Sequence, residues 1–235
     1  MASVTADTVS EPKPRAPLSR ERVLRAAVAV ADEHGVESLT MRRLGERLGA
    51  EAMSLYHYVA NKDDLLDGVV EMIAREVGEA VGRIDAPSRG AAWKSAMRLR
   101  ILTAREVFLR HPWAPGVFQT RSTTPLAVLR YYDALLGIMR DGGLSYDQGH
   151  HAMHALGSRA LGFTQELFNP TAAGGDAPPA ELAAMAEQLP HLAGMVQDAI
   201  HDDPDSTLGW CDDQAEFEFG LDLILDGLDR LRAPR

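Results

Sequence analysis

Residues 40–66 read TMRRLGERLGAEAMSLYHYVANKDDLL, and their punctuation decides the fold. Thr40 can cap a helix, because its hydroxyl accepts from a backbone N–H that the first turn leaves without a partner. Leu44 and Leu48 then share one face while Arg42, Arg43, Glu46 and Arg47 point elsewhere. Gly49 follows the last apolar position, where a left-handed residue closes a helix without a Cβ clash. A second, brief helix is expected from near Glu51 to around Tyr58 and Val59, and either Asn61 or Asp63 can cap a third. Two helices joined at a glycine-containing turn make a helix-turn-helix, the plan whose second helix enters the major groove of DNA.

The outward positions of that second helix are Ala52, Met53, Ser54, Tyr56 and His57. Their methyl, thioether, hydroxyl, phenol and imidazole groups can touch base edges, thymine methyls and phosphates. Tyr58 either joins them or packs the small domain. Lys62, a mobile point charge at the entry to the next helix, suits a phosphate.

The runs LTMRRLGERLGA and MSLYHYV-x-x-KD-x-LLD resemble the DNA-binding domain of the tetracycline-repressor (TetR) family of bacterial transcriptional regulators. The LYHYV-x-x-KD element is the most telling part, since a generic helix-turn-helix has no reason to carry it. The resemblance implies that Thr40 and Lys62 lie at phosphates and Arg42 at a base or phosphate. It puts Ala52, Met53, Ser54, Tyr56 and His57 on the recognition helix, and we add the neighbouring Arg43. Ala52 departs from the polar residue that some members carry, which puts base reading at that position in doubt.

Upstream, Ser19 can cap a first helix, SRERVLRAAVAVADEHG, although Arg22 stands where a capping box would need an acid or amide. Val23, Leu24, Ala27, Val28 and Ala31 form its apolar stripe, and Gly35 stops it. Downstream, a long helix from Lys62 to about Arg83 opens with Asp63 and Asp64 at the dipole's positive end. Its apolar positions are Leu65, Leu66, Val69, Val70, Met72, Ile73 and Val77, while Gly78 and Gly82 weaken its far end. In the family resembled, this helix couples ligand binding to the spacing of two reading heads.

The rest reads as helices separated by breaks: IDAPSRG, then AAWKSAMRLRILTAREVFLRHP, a loop or short helix WAPGVFQTRSTTP, and LAVLRYYDALLGIMRDGG begun by Thr124 and Pro125. A helix with His150, His151 and His154 follows, then a Gly/Ala/Pro-rich loop over 169–180, a helix around Pro190, and a strong terminal helix. That last helix has two apolar faces. Phe217, Leu221, Ile224, Leu225, Leu228 and Leu231 form one, and Phe219 and Leu223 the other, implying both a core and a second subunit to cover. The W-K, T-P-L and FEFGLDLILDGL elements resemble the regulatory domain of tetracycline-repressor relatives. The resemblance spans about 19–232 and implies a homodimer built on the His150–Phe168 and Phe217–Leu231 helices.

The expected architecture is all-α: an arm over 1–17, a three-helix DNA-binding domain over 18–64, and a ligand-binding and dimerisation domain over 65–235. The formal net charge of −10 argues against nucleic acid until it is divided. Residues 1–62 carry nine Lys or Arg against eight Asp or Glu, whereas 63–235 carry fifteen against twenty-six. The acidic surplus therefore lies outside the reading domain, and DNA affinity would depend on local cations, on doubling by dimerisation and on low salt. Lys13 and Arg15 could add contacts from the arm. One cysteine, Cys211, excludes an internal disulfide framework and is read as a passive thiol. No long apolar run or signal-peptide core is present, so a cytoplasmic protein without membrane contact is expected.

No nucleophile–base pair, phosphate-binding glycine loop or metal set suggests catalysis, and no cofactor is expected. Effector contacts are expected from Trp93, Met97, Phe108, Trp113, Phe118, Gln119, Arg121, Tyr132, His151 and His154, with Arg98 and Arg105 as further polar anchors. His150 and His154, one turn apart, could share a metal but lack an evident third ligand, and no metal site is assigned. His111 before Pro112 is read as a helix-end group. The function expected is a repressor of near-palindromic operator DNA, released by a small molecule, with reading heads about 34–36 Å apart. A ligand-carrying or metal-dependent helical protein, or an activator of the same family, remains open.

Overall fold

The computed structural model describes residues 17–162, 187–191, 194 and 213–232. The expected arm with Lys13 and Arg15, the 169–180 loop, the helix end at Phe168 and Cys211 lie outside the described residues. Among those described there is no strand. The chain divides into two compact units at Val69/Val70, inside a continuous helix and five residues beyond the expected boundary.

The first unit holds α1 (Arg20–His34), α2 (Met41–Leu48), α3 (Ala52–Leu55) and the start of α4 (Lys62–Gly82). Ser19 caps α1 by accepting from the Arg22 N–H, and Gly35 ends it at φ 77°. The buried stripe of α1 is Val23, Leu24, Ala26, Ala27, Val30 and Ala31; Val28 is only half-buried, so the stripe sits slightly round the helix from the expected one. Leu39, Leu44, Leu55, Val59 and Leu65 are buried in the same unit.

The second unit continues α4 and adds α5 (Trp93–Arg110), α6 (Ala114–Thr120), α7 (Leu126–Asp141), α8 (Tyr146–Gly162) and α9 (Asp213–Arg230). Thr124 and Pro125 do not act as cap and first residue of α7; Pro125 itself holds the cap position, with no side-chain capping bond. Ser145 and Gln148 form a reciprocal capping box on α8: the Gln148 N–H donates to Ser145 Oγ and the Ser145 N–H to Gln148 Oε1. Gln148 Nε2 also donates to the Leu231 carbonyl, so the start of α8 is tied to the end of α9.

The core here gathers Trp93, Met97, Ile101, Leu135, Met139, Phe217, Leu221 and Leu225. Helices α5 and α9 run antiparallel and are laced along their edge. Trp93 Nε1 donates to Asp229 at 3.2 Å, Lys94 pairs with Asp226, Arg98 with Asp222 at 2.8 Å and with Glu218, and Arg105 Nε donates to Gln214 at 2.9 Å. Of the two apolar faces expected on α9, Phe217, Leu221, Leu225 and Leu228 are buried. Phe219 and Leu223 are exposed, and Leu231, expected on the inner face, is exposed as well.

Glycine 142 sits where a Cβ would come within 2.5 Å of the Trp93 ring. Because that tryptophan is fully buried, it has no room to yield. Gly142→Ala is expected to cost about 1–3 kcal/mol by overpacking, whereas Gly78→Ala, in open space on α4, should gain about 0.5–1 kcal/mol of helix stability. Urea unfolding followed by circular dichroism would read the two opposite signs.

Candidate DNA-reading surface and effector cavity

The reading surface begins with two helices that approach closely. A Cβ at Gly45 would stand 2.7 Å from the Ala50 carbonyl and 3.2 Å from the Ala52 nitrogen, so only glycine lets α2 and the start of α3 meet here. Gly49 takes the left-handed cap at φ 65°, ψ 40°. Helix α3 is shorter than expected, four residues prolonged by a turn in which the Tyr58 N–H donates to the Leu55 carbonyl at 2.9 Å. With Leu55 and Val59 buried, the intervening residues turn outward. Met53 is 74% exposed and Tyr56 44%, with His57 exposed and Ser54 and Ala52 half-buried. A thioether left this bare on a short helix gains nothing by packing. Tyr58 is half-buried, and its carbonyl accepts from Arg20 Nη1.

Polar groups on this surface are already partly committed. Thr40 Oγ1 accepts from the Arg43 N–H at 3.2 Å, which leaves the hydroxyl proton to donate to a phosphate. Ser54 donates to the Glu51 carbonyl at 2.7 Å, so its hydroxyl is left mainly as an acceptor. Arg42 pairs with Glu46, and Arg47 is held by both oxygens of Glu33 at 2.6 and 2.7 Å. Arg43 and Lys62 are exposed, with no ion pair among the described residues.

Asp64 braces the surface from behind. Its Oδ1 accepts from Arg20 Nη2 at 2.7 Å, and its Oδ2 from Arg20 Nη1 at 3.0 Å and the Ala60 N–H at 2.7 Å. The Asn61 side chain caps α4 by accepting from the Asp64 N–H at 2.9 Å. Sequence reading missed Gly45 and the Arg20–Asp64 brace. A glycine inside a helix flanked by arginines was the available signal for the first; nothing local marks the second.

The second unit contains a recessed, partly open cavity of about 110 Å³ between α4, α5, α6, α7, α8 and α9. Its wall is Ala74, Val77, Ile101, Ala104, Arg105, Phe108, Phe118, Val128, Tyr131, Tyr132, Leu135, Met153, Leu156, Gly157 and Phe217. Phe108 and Phe118 meet edge to face at 5.8 Å, and the Arg105 guanidinium lies 4.3 Å over the Phe217 ring. Burial pushes the Tyr131 phenol well above its ordinary value and raises that of Tyr132, so both remain neutral donors. An adjoining open space of about 490 Å³ is lined by Tyr132, Leu136, Tyr146, His150, Met153, His154 and Gly157.

Of the expected effector contacts, Phe108, Phe118 and Tyr132 line the smaller cavity, and Tyr132 and His154 the adjoining space. Trp93 and Met97 do not: both are fully buried in the core, where Trp93 spends its N–H on Asp229. Trp113 turns instead toward His111, with ring centres 6.1 Å apart. Gln119, Arg121 and His151 also lie off both walls, His151 being exposed 3.9 Å from Asp147. Arg98 is taken by the α9 carboxylates. His111 is buried with Nε2 3.3 Å from Glu76, so it ties α5 to α4 rather than serving the helix end alone. Missed wall residues include Val128, Tyr131 and Leu135, whose spacing along α7 was a readable signal. His150 and His154 have ring centres 4.6 Å apart, and among the described residues no group of three or more His, Cys, Asp or Glu could hold a metal ion. No helix among the described residues is long and apolar enough to cross a membrane.

Comparison with known families decides what carries these two sites. The description "Bacterial regulatory proteins, tetR family" matches residues 23–69, and "Tetracyclin repressor-like, C-terminal domain" matches residues 86–232. The chain belongs to the TetR family. As in that family, it is a DNA-binding transcriptional regulator. It is 31% identical to the tetracycline repressor protein class D of Escherichia coli over 216 residues, 90% of this chain and 89% of the relative. It is 28% identical to the HTH-type transcriptional repressor DrrR1 of Streptomyces coeruleorubidus, over 94% of this chain and 81% of the relative. The crystal structure of a possible TetR family regulator from Streptomyces coelicolor A3(2) superposes with a TM-score of 0.69 at 29% identity, covering 91% of this chain and all of that one.

The hydrogen bonds from Arg20 and the Ala60 N–H hold the Asp64 carboxyl below its ordinary value. Stability from this brace is therefore fully present above the ordinary carboxylate value, near pH 3.8. It is lost as pH falls through the depressed one. Acid unfolding of wild type beside Asp64→Asn should show that the variant lacks this component, losing less stability below pH ~4.

Proposed function

We propose that this TetR-family regulator is a homodimeric repressor that leaves a near-palindromic operator when a small molecule fills the cavity between α4, α5, α6, α7, α8 and α9. The observation carrying the reading is α4. One uninterrupted helix bears Lys62 beside the reading turn and, further along, Ala74 and Val77 of the cavity wall. A ligand that alters the packing of Ala74 and Val77 acts on the element that begins at the DNA-reading turn. Such a ligand releases DNA only to the extent that it binds the released form better than the bound one.

Each residue has a role that its environment supports. Met53, Tyr56 and His57 read the groove, Ala52 packs at its edge, and Ser54 accepts from a base amino group. Thr40, Arg43 and Lys62 hold phosphates, and Arg42 joins them once it leaves Glu46. Phe219 and Leu223, bare on α9, belong to the dimer seam. The relatives' names, a tetracycline repressor and a transcriptional repressor, favour repression over activation.

The test is fluorescence anisotropy on DNA from upstream of the protein's own gene. Tyr56→Ala combined with Lys62→Ala should weaken binding about tenfold or more, with Lys62→Ala alone lowering the salt slope by about one per site. Dimer mass and helicity should be unchanged. Wild-type affinity in the double variant would remove the assignment.

A further inference from the structure

The thioether on the reading face carries a liability that its neighbours lack, an inference that rests on α3 and the turn after it being the surface that meets DNA. The chain has nine methionines, six of them among the described residues. Met97 and Met139 are fully buried, and Met41, Met72 and Met153 are half-buried. Met53 alone of the six stands out in solvent, at 74% exposure. An exposed thioether is open to oxidants that a packed core excludes. The reading unit, residues 1–69, contains no cysteine, so sulfur redox chemistry there belongs to methionine.

The position of that sulfur gives the chemistry a consequence. Met53 lies between Ala52 and Ser54 on α3, and Tyr56 and His57, one turn on, are exposed with it. Packing does not call for methionine here, since leucine would present a similar apolar surface. Against a base pair the unoxidised side chain offers a polarisable apolar end, suited to a thymine methyl. Its sulfoxide is polar and chiral, with an oxygen that only accepts. The neighbouring Ser54 hydroxyl, donating to the Glu51 carbonyl, is already left mainly as an acceptor. In the major groove a second acceptor finds a donor only at an adenine or cytosine amino group. Oxidation therefore removes an apolar contact and sets an acceptor against a surface made largely of acceptors.

We propose that Met53 is an oxidation site through which hydrogen peroxide takes this regulator off DNA. The sulfur lone pair attacks one peroxide oxygen, an S–O bond forms as the O–O bond breaks, and the departing oxygen leaves as water with both protons. Sulfur is oxidised by two electrons and the peroxide is reduced by two. DNA covers the thioether in the bound state, so the free protein is the form oxidised, and the sulfoxide then opposes rebinding. A methionine sulfoxide reductase restores the thioether, which makes the change a switch rather than damage.

The test uses the full chain and a duplex that it selects from a random pool. Hydrogen peroxide is applied to partial oxidation, with and without saturating duplex, then quenched with catalase, and peptide mass spectrometry reads each methionine. Met53 should take up oxygen faster than Met41, Met72 or Met153 in the free protein and be shielded by the duplex. When the partly oxidised sample is split on the duplex, Met53 sulfoxide should be enriched about tenfold or more in the unbound fraction. Reductase treatment should return that fraction to the bound state. Met53→Leu, compared only with its own untreated sample, should keep its affinity through the same exposure. If that variant does not fold or bind, fractionation of the wild-type chain decides alone. Met53 sulfoxide spread evenly between the fractions, or Met53 oxidised no faster than the half-buried methionines, overturns the proposal. A duplex that shields Met53 while the sulfoxide form binds as well as the thioether sinks the switch and leaves the reading surface standing. A bound duplex that gives no shielding, or a pool from which nothing is selected, removes the assignment of α3 to DNA and the proposal with it.

Discussion

The reading domain is built round one carboxylate. Asp64 takes both guanidinium nitrogens of Arg20 and the N–H of Ala60, while that same arginine reaches the Tyr58 carbonyl. Three pieces of chain are fixed by it: the first turn of α1, the tight turn after α3, and the first turn of α4. The pair is partly open to water, so its worth in free energy is modest. Its worth in position is larger, because two parallel hydrogen bonds set an angle as well as a distance. Leu55 and Val59 then need only be buried for Met53, Tyr56 and His57 to face outward.

Charge in the second unit is spent differently. The acidic surplus of residues 63–235 would repel DNA if it were spread as free field, yet a stripe of it is internal to the fold. Gln214, Glu218, Asp222 and Asp226 recur every fourth residue on α9 and meet Arg105, Arg98 and Lys94 across the seam with α5. Between these edges lies the core of Trp93, Met97, Phe217 and Leu221. Polar lacing and apolar filling therefore agree on one register between the two helices, and a slide of one turn would break both. The cavity is what this register leaves open toward α7 and α8.

Much of this was legible in sequence. Local chemistry announced itself: Ser19, Thr40, Gly35 and Gly49 act at the helix ends where their side chains, or the lack of one, are needed. The outward turn of Met53, Tyr56 and His57 followed from motif spacing. What could not be read was which aromatic residue faces a void and which fills the core. Trp93 and Phe118 look alike in sequence, but Trp93 finds a partner for its N–H in Asp229, more than a hundred residues away, and is absorbed. Phe118 finds Phe108 and a space beside it. The Ser145–Gln148 box and the stripe of one glutamine and three acids at every fourth residue were visible in principle, since both are fixed spacings; the Arg20–Asp64 pair was not, since nothing in either neighbourhood points to the other.

The bond from Trp93 to Asp229 joins residues 136 positions apart, and Phe217 on the same late helix completes the cavity wall. Synthesis delivers the reading unit long before it delivers α9, and domains fold as they emerge, at roughly 5–20 residues per second. For several seconds each new molecule carries a folded reading unit, not yet doubled, and an unfinished pocket. A nascent chain in that interval is deaf to its signal, and responsiveness is the last property the protein acquires.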